Sequence, residues 1–417
     1  MKPDWRKPVD SGLLLMAILA IAFAARLGVS FYLGETLNFQ DSREYHALAS
    51  QLAESRSYQA EGKPTAYWPP GYPFFLALVY SLFGSSITAA RIVQSAIGSL
   101  SCFLVYLIGL RILGRRPALL AAAICALYPL LVYSSAALLP SSIKTCLIAC
   151  VVLFSLRAWK SGSGSRAVLA GVFAAGAVLV APSILPTVLI IALWVAWHDV
   201  SRPGLGKLVP VLLMLLPIVL CVGAWTLRNY NVLGRPVLVS TNGGFNLWLG
   251  NHPDVTAETG NRMTPRMQRE LGTVYARHKN EAERDSVLYD MGTRYISEDP
   301  MRFLKLWAAK AVNLWRLAPR PMTEVELAGG KERLLSLFSY GLLLPFAAFW
   351  LIRSIKNRSE ARLILLMFIA FTATHAVFIT KVRFRIPIDP YVIVCAAGGL
   401  VALFDFVRAR ISRRSPH

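Results

Sequence analysis

The sequence predicts an all-α membrane protein that crosses the bilayer about ten times and carries one large soluble loop. Of its 417 residues, 55% are hydrophobic and only 16% are charged, whereas about a quarter of an ordinary soluble domain is charged. The apolar residues also fall in blocks of about twenty, the length that crosses the hydrocarbon core of a bilayer. Composition and block length together therefore predict one polytopic helical bundle.

The first apolar block begins at Leu13, is interrupted by Arg26 and then resumes. A signal peptide over residues 13–25 is the alternative interpretation, because that stretch has a suitable length. The apolar continuation beyond Arg26 favours an uncleaved transmembrane helix.

The later apolar segments differ in length. Segment 72–83 is too short to span and has Pro73 at its start, so an interfacial or re-entrant helix is predicted there. The run 166–198 contains Pro182 and Pro186, which favour a hairpin of two helices over one long helix. The full-length candidates are 87–113, 117–138, 141–159, 166–181, 183–198, 208–227, 332–354, 361–380 and 387–407.

Positive charge predicts the orientation of these helices. The net charge is +21, and the basic residues gather in alternate short connections, which is the positive-inside pattern. This distribution predicts that both termini lie in the cytoplasm, and it argues against nucleic-acid binding. The clusters are Arg111/Arg115/Arg116, Arg157/Lys160/Arg166, Arg202/Lys207, Arg353/Lys356/Arg358/Arg362 and Arg408/Arg410/Arg413/Arg414.

Three regions follow from this topology. Residues 1–227 form an N-terminal transmembrane module that includes a first external loop, 34–86. Residues 228–331 form an external soluble region, and 332–417 hold the C-terminal transmembrane helices. Within the soluble region, 303–317 has the tryptophans and basic residues of a helix lying in the membrane interface.

The cysteines and the known nucleotide motifs exclude several functions. All six cysteines fall in apolar segments, so they predict neither a disulfide framework nor a zinc site. The chain has no Walker loop and no dinucleotide fingerprint. No cofactor is predicted, although a divalent metal stays open.

The first external loop contains a candidate general base. Asp41 and Glu44 are three residues apart and share a face on a helix. A carboxylate that is ionised at neutral pH can take the proton of an acceptor hydroxyl. The alternative is that Asp41 is an N-cap and Glu44 closes a capping box; the two interpretations are compatible.

An aromatic, proline-rich corner follows that helix. Tyr67 and Trp68 precede two prolines and Gly71, which allows the turn into the next helix. Aromatic rings at this level suit the headgroup layer. The corner is either a stiff structural element or one wall of a groove for a lipid or a sugar.

Basic residues on the predicted outer side are the strongest anomaly. Lys381, Arg383 and Arg385 occupy a short external loop, against the charge bias of the other short loops. An anionic group would compensate them, and arginine suits bidentate phosphate recognition. Anionic lipid headgroups are the simpler alternative. Three further basic residues near the predicted outer face are also candidates for a functional role: Arg26, Arg91 and Lys144. The alternative for each is that its long side chain reaches to the membrane surface and places the charge in water.

These residues resemble bacterial glycosyltransferase family 39, which belongs to the GT-C superfamily with the protein O-mannosyltransferases and the lipid A aminoarabinose transferase. The resemblance covers nearly the whole chain in order. It is carried by Gln40-Asp41, the run WPPGYPFFLAL at 68–78, Phe83-Gly84 followed by Arg91, WTLRNY at 225–230, STNGGFNLWLGN at 240–251, Asp299-Pro300 with Lys310, and RFRIP at 383–387.

The resemblance implies roles for individual residues. It places the family's catalytic aspartate at Asp41 and its lipid-phosphate ligands at Arg383 and Arg385. It also implies a GT-C bundle in the inner (cytoplasmic) membrane of a bacterium, and inversion at the sugar carbon. The chain departs from the family pattern at Ser42 in place of a second acid, at Pro140-Ser141 in place of a glutamate, and at Ala181 in place of an arginine.

The expected reaction is transfer of a sugar from a polyprenyl-phosphate donor to an acceptor hydroxyl on a lipid, a glycan or a protein, on the external side. Asp41 is the expected base, and the expected substrate-binding residues are Glu44, Tyr67, Trp68, Arg91, Lys144, Lys381, Arg383 and Arg385. Two alternatives stay open: a flippase for a lipid-linked sugar, and a polymerase or ligase of surface polysaccharide.

Overall fold

The computed structural model describes residues 11–198, 204–256, 262–317 and 334–412. The helices of the first half are α1 (Ser11–Leu33), α2 (Gln40–Ser55), α3 (Gly71–Phe83), α4 (Ile87–Ile112), α5 (Arg115–Leu127), α6 (Pro129–Ala136), α7 (Ser141–Ser161), α8 (Gly164–Val180) and α9 (Leu185–His198). Those of the second half are α10 (Val209–Leu233), α11 (Gly243–Asn251), α12 (Pro265–Arg277), α13 (Glu281–Glu298), α14 (Pro300–Leu314), α15 (Leu342–Ser354), α16 (Ser359–Val377) and α17 (Asp389–Ser412).

The predicted all-α membrane architecture is confirmed. Seven helices of the described chain are long and apolar enough to cross a membrane, and the bent pair α5–α6 makes an eighth. The two remaining predicted spans correspond to α8 and α9, which are shorter apolar helices. They are separate helices because the chain leaves the α conformation at Ala181 and Pro182 begins a 3-10 turn.

A buried arginine stabilises the break between α5 and α6, where the axis bends by 51°. Pro129 has no N–H, so the carbonyl of Cys125 loses its helical partner. The guanidinium of Arg26 donates to this carbonyl at 3.2 Å and to that of Ala126 at 3.0 Å. Arg26 is 1% exposed, and these contacts explain a mid-helix arginine without a ligand.

The loop between α2 and α3 contains the strand pair β1 (Gln59–Ala60) and β2 (Lys63–Pro64), paired Gln59 with Pro64 and Ala60 with Lys63. The two turn residues between the strands both have positive φ, as a type I′ turn requires. The hairpin therefore makes the loop compact at the point where it leads to Tyr67.

Helices α11 to α14 form a region outside the apolar bundle, with its own core around Trp248, Met267 and Leu288. The predicted helix at 303–317 is confirmed as α14, although it begins at Pro300 and ends at Leu314. The predicted boundary between residues 331 and 332 lies outside the described residues, and the three-region division stays a prediction.

Membrane orientation also stays a prediction, and cysteine labelling checks it. Single cysteines at Arg115, Lys160 and Lys356 should react with a membrane-impermeant maleimide only after the cytoplasmic face is opened. A cysteine at Arg284 should react in intact cells. The positive-inside distribution is the reason for this expectation. Protection of position 284 in intact cells would place the candidate site on the wrong side.

Candidate active site

Helix α2 presents the candidate base. Its buried face consists of Ser42, Tyr45, Leu48, Ala49 and Leu52, a helical spacing that packs α2 against α3 and leaves Asp41 at the edge of that face. The side chain of Asp41 is 35% exposed. It can therefore meet a soluble group while its backbone is held in a helix.

The predicted capping box is wrong. The N-cap of α2 is Phe39, with an extended backbone and no side-chain capping hydrogen bond. Asp41 lies in the first helical turn, where a carboxylate is stabilised by the helix dipole. Glu44 accepts hydrogen bonds from Gln40 and from the indole of Trp68, both at 3.0 Å.

Asp41 forms an ion pair with Arg383, 342 residues later in the chain. The Nη2 of Arg383 donates to Oδ2 of Asp41 at 2.9 Å, and the arginine side chain is 14% exposed. The guanidinium also lies 5.2 Å from the ring centre of Phe39 and 5.8 Å from that of Phe384. The candidate base and one candidate phosphate ligand are thus brought together.

The loop that carries Arg383 is held by the extramembrane region. A Cβ added to Gly250 would lie 2.1 Å from the carbonyl oxygen of Phe378, so only glycine permits this approach. Asn251 donates to the carbonyl of Val377 at 2.9 Å, and Asn313 donates to that of Thr380 at 3.4 Å. These contacts give the resemblance motif at 240–251 a physical role: it positions the arginine loop.

Lys144 adds a second positive charge near this loop. It lies in the first turn of α7, is 8% exposed, and is close enough to Arg383 for the two charges to repel each other. Its ammonium has no hydrogen-bond or ion-pair partner in the described part of the chain. Two neighbouring positive charges on mostly buried side chains repel each other unless an anion compensates them, so Lys144 and Arg383 together suit an anion. Lys381 lies in the same loop and is half-buried.

Arg385 has a different environment from Arg383. It is fully buried, and its Nε donates to Asp389 at 2.7 Å, whose other oxygen accepts from Tyr128 at 3.2 Å. Its Nη1 donates to the carbonyls of Leu314 and Arg316. The phosphate-binding role of Arg385 stays a prediction, but these contacts assign it to the bundle core.

Arg91 also contacts backbone. Its Nε donates to the carbonyl of Ala136 at 2.8 Å, and its two Nη atoms donate to the carbonyls of Gly34 and Thr36. Residues 34–39 lead directly into α2. Arg91 therefore holds the start of the first loop in place, and Asp41 follows directly after that segment. The predicted contact of Arg91 with substrate stays a prediction.

The aromatic corner lies beside the same carboxylates. Trp68 packs on Tyr45, with ring centres 4.6 Å apart. Burial raises the pKa of Tyr67 well above its usual range, and the neighbouring Tyr275, Glu44, Asp41 and Asp285 raise it further. Tyr67 is thus near the three carboxylates, and together these side chains can offer hydrogen-bond acceptors and ring faces to a polyhydroxyl ligand.

Asp285 on α13 was not identified from the sequence. Its carboxylate accepts from the backbone N–H of Gly244 at 2.6 Å, and burial raises its pKa to about 6. The glycine pair at 243–244 inside a polar motif was the only sequence signal that another chain segment approaches the backbone there. Only the packing of α11 on α13 brings that motif to Tyr67.

The segment before Tyr67 is tied to the extramembrane region. Glu281 accepts from the hydroxyl of Thr65 at 2.8 Å and from the backbone N–H of Ala66. Arg228 donates to the carbonyls of Thr65 and Tyr58, at 2.7 and 2.8 Å. These contacts therefore join the first loop to helix α13 and to the end of helix α10.

Within the described ranges, no three His, Cys, Asp or Glu side chains lie where they could hold a metal ion together. Asp41 has an arginine as its closest charged partner. These side chains therefore form no resident metal site of that kind.

One family model matches residues 68–225, and its description is dolichyl-phosphate-mannose-protein mannosyltransferase. The match includes the aromatic corner and Lys144 but neither Asp41 nor Arg383. No curated protein matches the chain in sequence.

The fold is similar to that of a solved oligosaccharyltransferase. AglB, an archaeal oligosaccharyltransferase from Archaeoglobus fulgidus solved with an inhibitory peptide and a dolichol-phosphate, aligns with a TM-score of 0.51 at 14% identity. The alignment covers 97% of this chain and 52% of AglB, so the chain spans about half the length of that protein. ArnT from Cupriavidus metallidurans, bound to undecaprenyl phosphate, aligns at 15% identity with a TM-score of 0.43, over 88% of this chain and 78% of ArnT.

Proposed function

We propose that this integral membrane protein is a glycosyltransferase of GT-C type, similar to family 39, and that it transfers a sugar from a polyprenyl-phosphate donor to an acceptor hydroxyl. The observation that carries the proposal is the 2.9 Å contact between Asp41 and Arg383. It brings a candidate base and a candidate phosphate ligand, which lie far apart in the sequence, into one site. The family description and the dolichol-phosphate bound by AglB support this class of donor.

The donor phosphate binds against Arg383 and Lys144. Arginine offers planar N–H donors to phosphate oxygens, and Lys144 supplies a second positive charge on a mostly buried side chain that has no hydrogen-bond or ion-pair partner within the described chain. When the bond between the anomeric carbon and the phosphate oxygen breaks, its electron pair stays on the polyprenyl phosphate. Fixed positive groups stabilise that developing charge, which is often the largest contribution to catalysis.

Asp41 accepts the acceptor's proton. In the structure, its Oδ2 accepts a hydrogen bond from Arg383. The hydroxyl oxygen forms the new bond to the anomeric carbon on the face opposite the phosphate, so the configuration inverts. Tyr67, Trp68 and Glu44 lie on the same side as the carboxylate and form the wall against which sugar and acceptor are held. The active site faces the external side.

Release of polyprenyl phosphate tests this function. The purified protein is placed in proteoliposomes that contain polyprenyl-phosphate-mannose and an extract of envelope lipids, glycans and proteins. We expect free polyprenyl phosphate and a labelled acceptor, both detected by mass spectrometry. Movement of the intact lipid-linked sugar across the bilayer without cleavage would contradict transfer and identify a flippase.

A further inference from the structure

The two charged groups that the reaction needs are also each other's partners. Asp41 and Arg383 form an ion pair at 2.9 Å, and the phenylalanine rings of Phe39 and Phe384 flank the guanidinium. Within the described residues, Asp41 is the only carboxylate paired with Arg383. The positive charge that would recognise a phosphate is therefore already compensated by the base.

This pairing affects both groups. While the guanidinium donates to Oδ2 of Asp41, that oxygen is occupied and cannot take a proton from an acceptor. The same contact uses a donor that a phosphate oxygen would otherwise occupy. A phosphate that binds Arg383 must therefore compete with Asp41 for the guanidinium, and binding frees the carboxylate oxygen.

We propose that Arg383 exchanges Asp41 for the donor phosphate, so that donor binding releases the base and must precede activation of the acceptor. This inference rests on the proposed function, because it takes the donor to be a polyprenyl phosphate ester. It adds a compulsory order: the carboxylate is held by the arginine until the leaving group is in place.

A thermodynamic cycle tests the exchange. The four proteins are the wild type, Asp41→Asn, Arg383→Gln and the double variant, and the probe is undecaprenyl phosphate titrated in detergent micelles. Asp41→Asn should bind the lipid about 3- to 30-fold more tightly, because the arginine no longer has an ionic partner to give up. In the Arg383→Gln background the same substitution should change the affinity less than about 2-fold. Lys144 is present in all four proteins and retains part of the anion affinity.

The outcomes separate the two proposals. If Asp41→Asn raises the affinity for undecaprenyl phosphate equally in the wild-type and Arg383→Gln proteins, the effect is only long-range repulsion between carboxylate and phosphate. That result would overturn the exchange. Unchanged affinity of Asp41→Asn, with weakened binding of Arg383→Gln, would overturn the exchange and leave the proposed phosphate site standing. Unchanged binding of Arg383→Gln would instead reject the phosphate site of the proposed function itself.

Discussion

Asp41→Asn should lose sugar transfer by about 10²–10⁴-fold, the usual contribution of a general base. The variant should fold and insert normally, because Asp41 is not the N-cap of α2 and asparagine retains an oxygen that can accept from Arg383. The measurement is the rate at which a labelled sugar leaves the polyprenyl-phosphate donor in proteoliposomes, with the amount of folded protein checked by size-exclusion chromatography.

A matched control for this substitution is Glu54→Gln. Glu54 is an exposed carboxylate on the same helix, and its loss should leave the transfer rate unchanged. Asp41→Ala should be as inactive as the asparagine variant. Because no cap is lost, any fall in its unfolding temperature should come from the lost ion pair with Arg383 and the lost helix-dipole interaction. Wild-type transfer by Asp41→Asn would reject this residue as the base.

Arg383→Gln should weaken donor use strongly while the protein remains folded. Removing one partner of a charged contact costs about 2–5 kcal/mol when the other charge stays buried. Arg383→Lys should recover only part of this loss, because an ammonium cannot reproduce a planar bidentate contact. The measurement is the donor concentration dependence of the transfer rate for each variant.

Arg385→Gln is the comparison that separates binding from folding. This substitution would leave Asp389 buried without its partner at 2.7 Å, at a cost of about 3–5 kcal/mol of stability. We therefore expect a large fall in thermal stability and in yield for position 385, and a defect in donor use for position 383. If Arg385→Gln keeps normal thermal stability and is defective only in donor use, Arg385 binds the donor phosphate as the sequence predicted. Unchanged donor use in Arg383→Gln would leave Lys144 and Lys381 as the remaining candidates.

The fold class could be predicted from sequence because the bilayer imposes it. Within hydrocarbon every backbone polar group must be satisfied inside its own segment, so long apolar blocks form helices whatever their neighbours are. Every apolar block proposed as a span forms a helix in the described chain, and Pro182 separates α8 from α9 as its missing N–H predicts. The identity of Asp41 as a candidate was also available, since a carboxylate in a short loop after the first helix is visible in the sequence and matches the family pattern.

Only the tertiary structure decided what the charged residues contact. Arg383 and Arg385 are two residues apart in one basic loop, yet one pairs with Asp41 and the other with Asp389. The spacing of four between Arg385 and Asp389 was a local signal for the second pair, whereas no local signal joins residues 41 and 383. Capping likewise depended on the backbone at Phe39, where the helix begins earlier than the polar residues suggested. The length of an apolar block is a local property, so it can be read from the sequence. An ion pair such as Asp41–Arg383 forms only when two distant segments meet, and the packing of the helices determines whether they do.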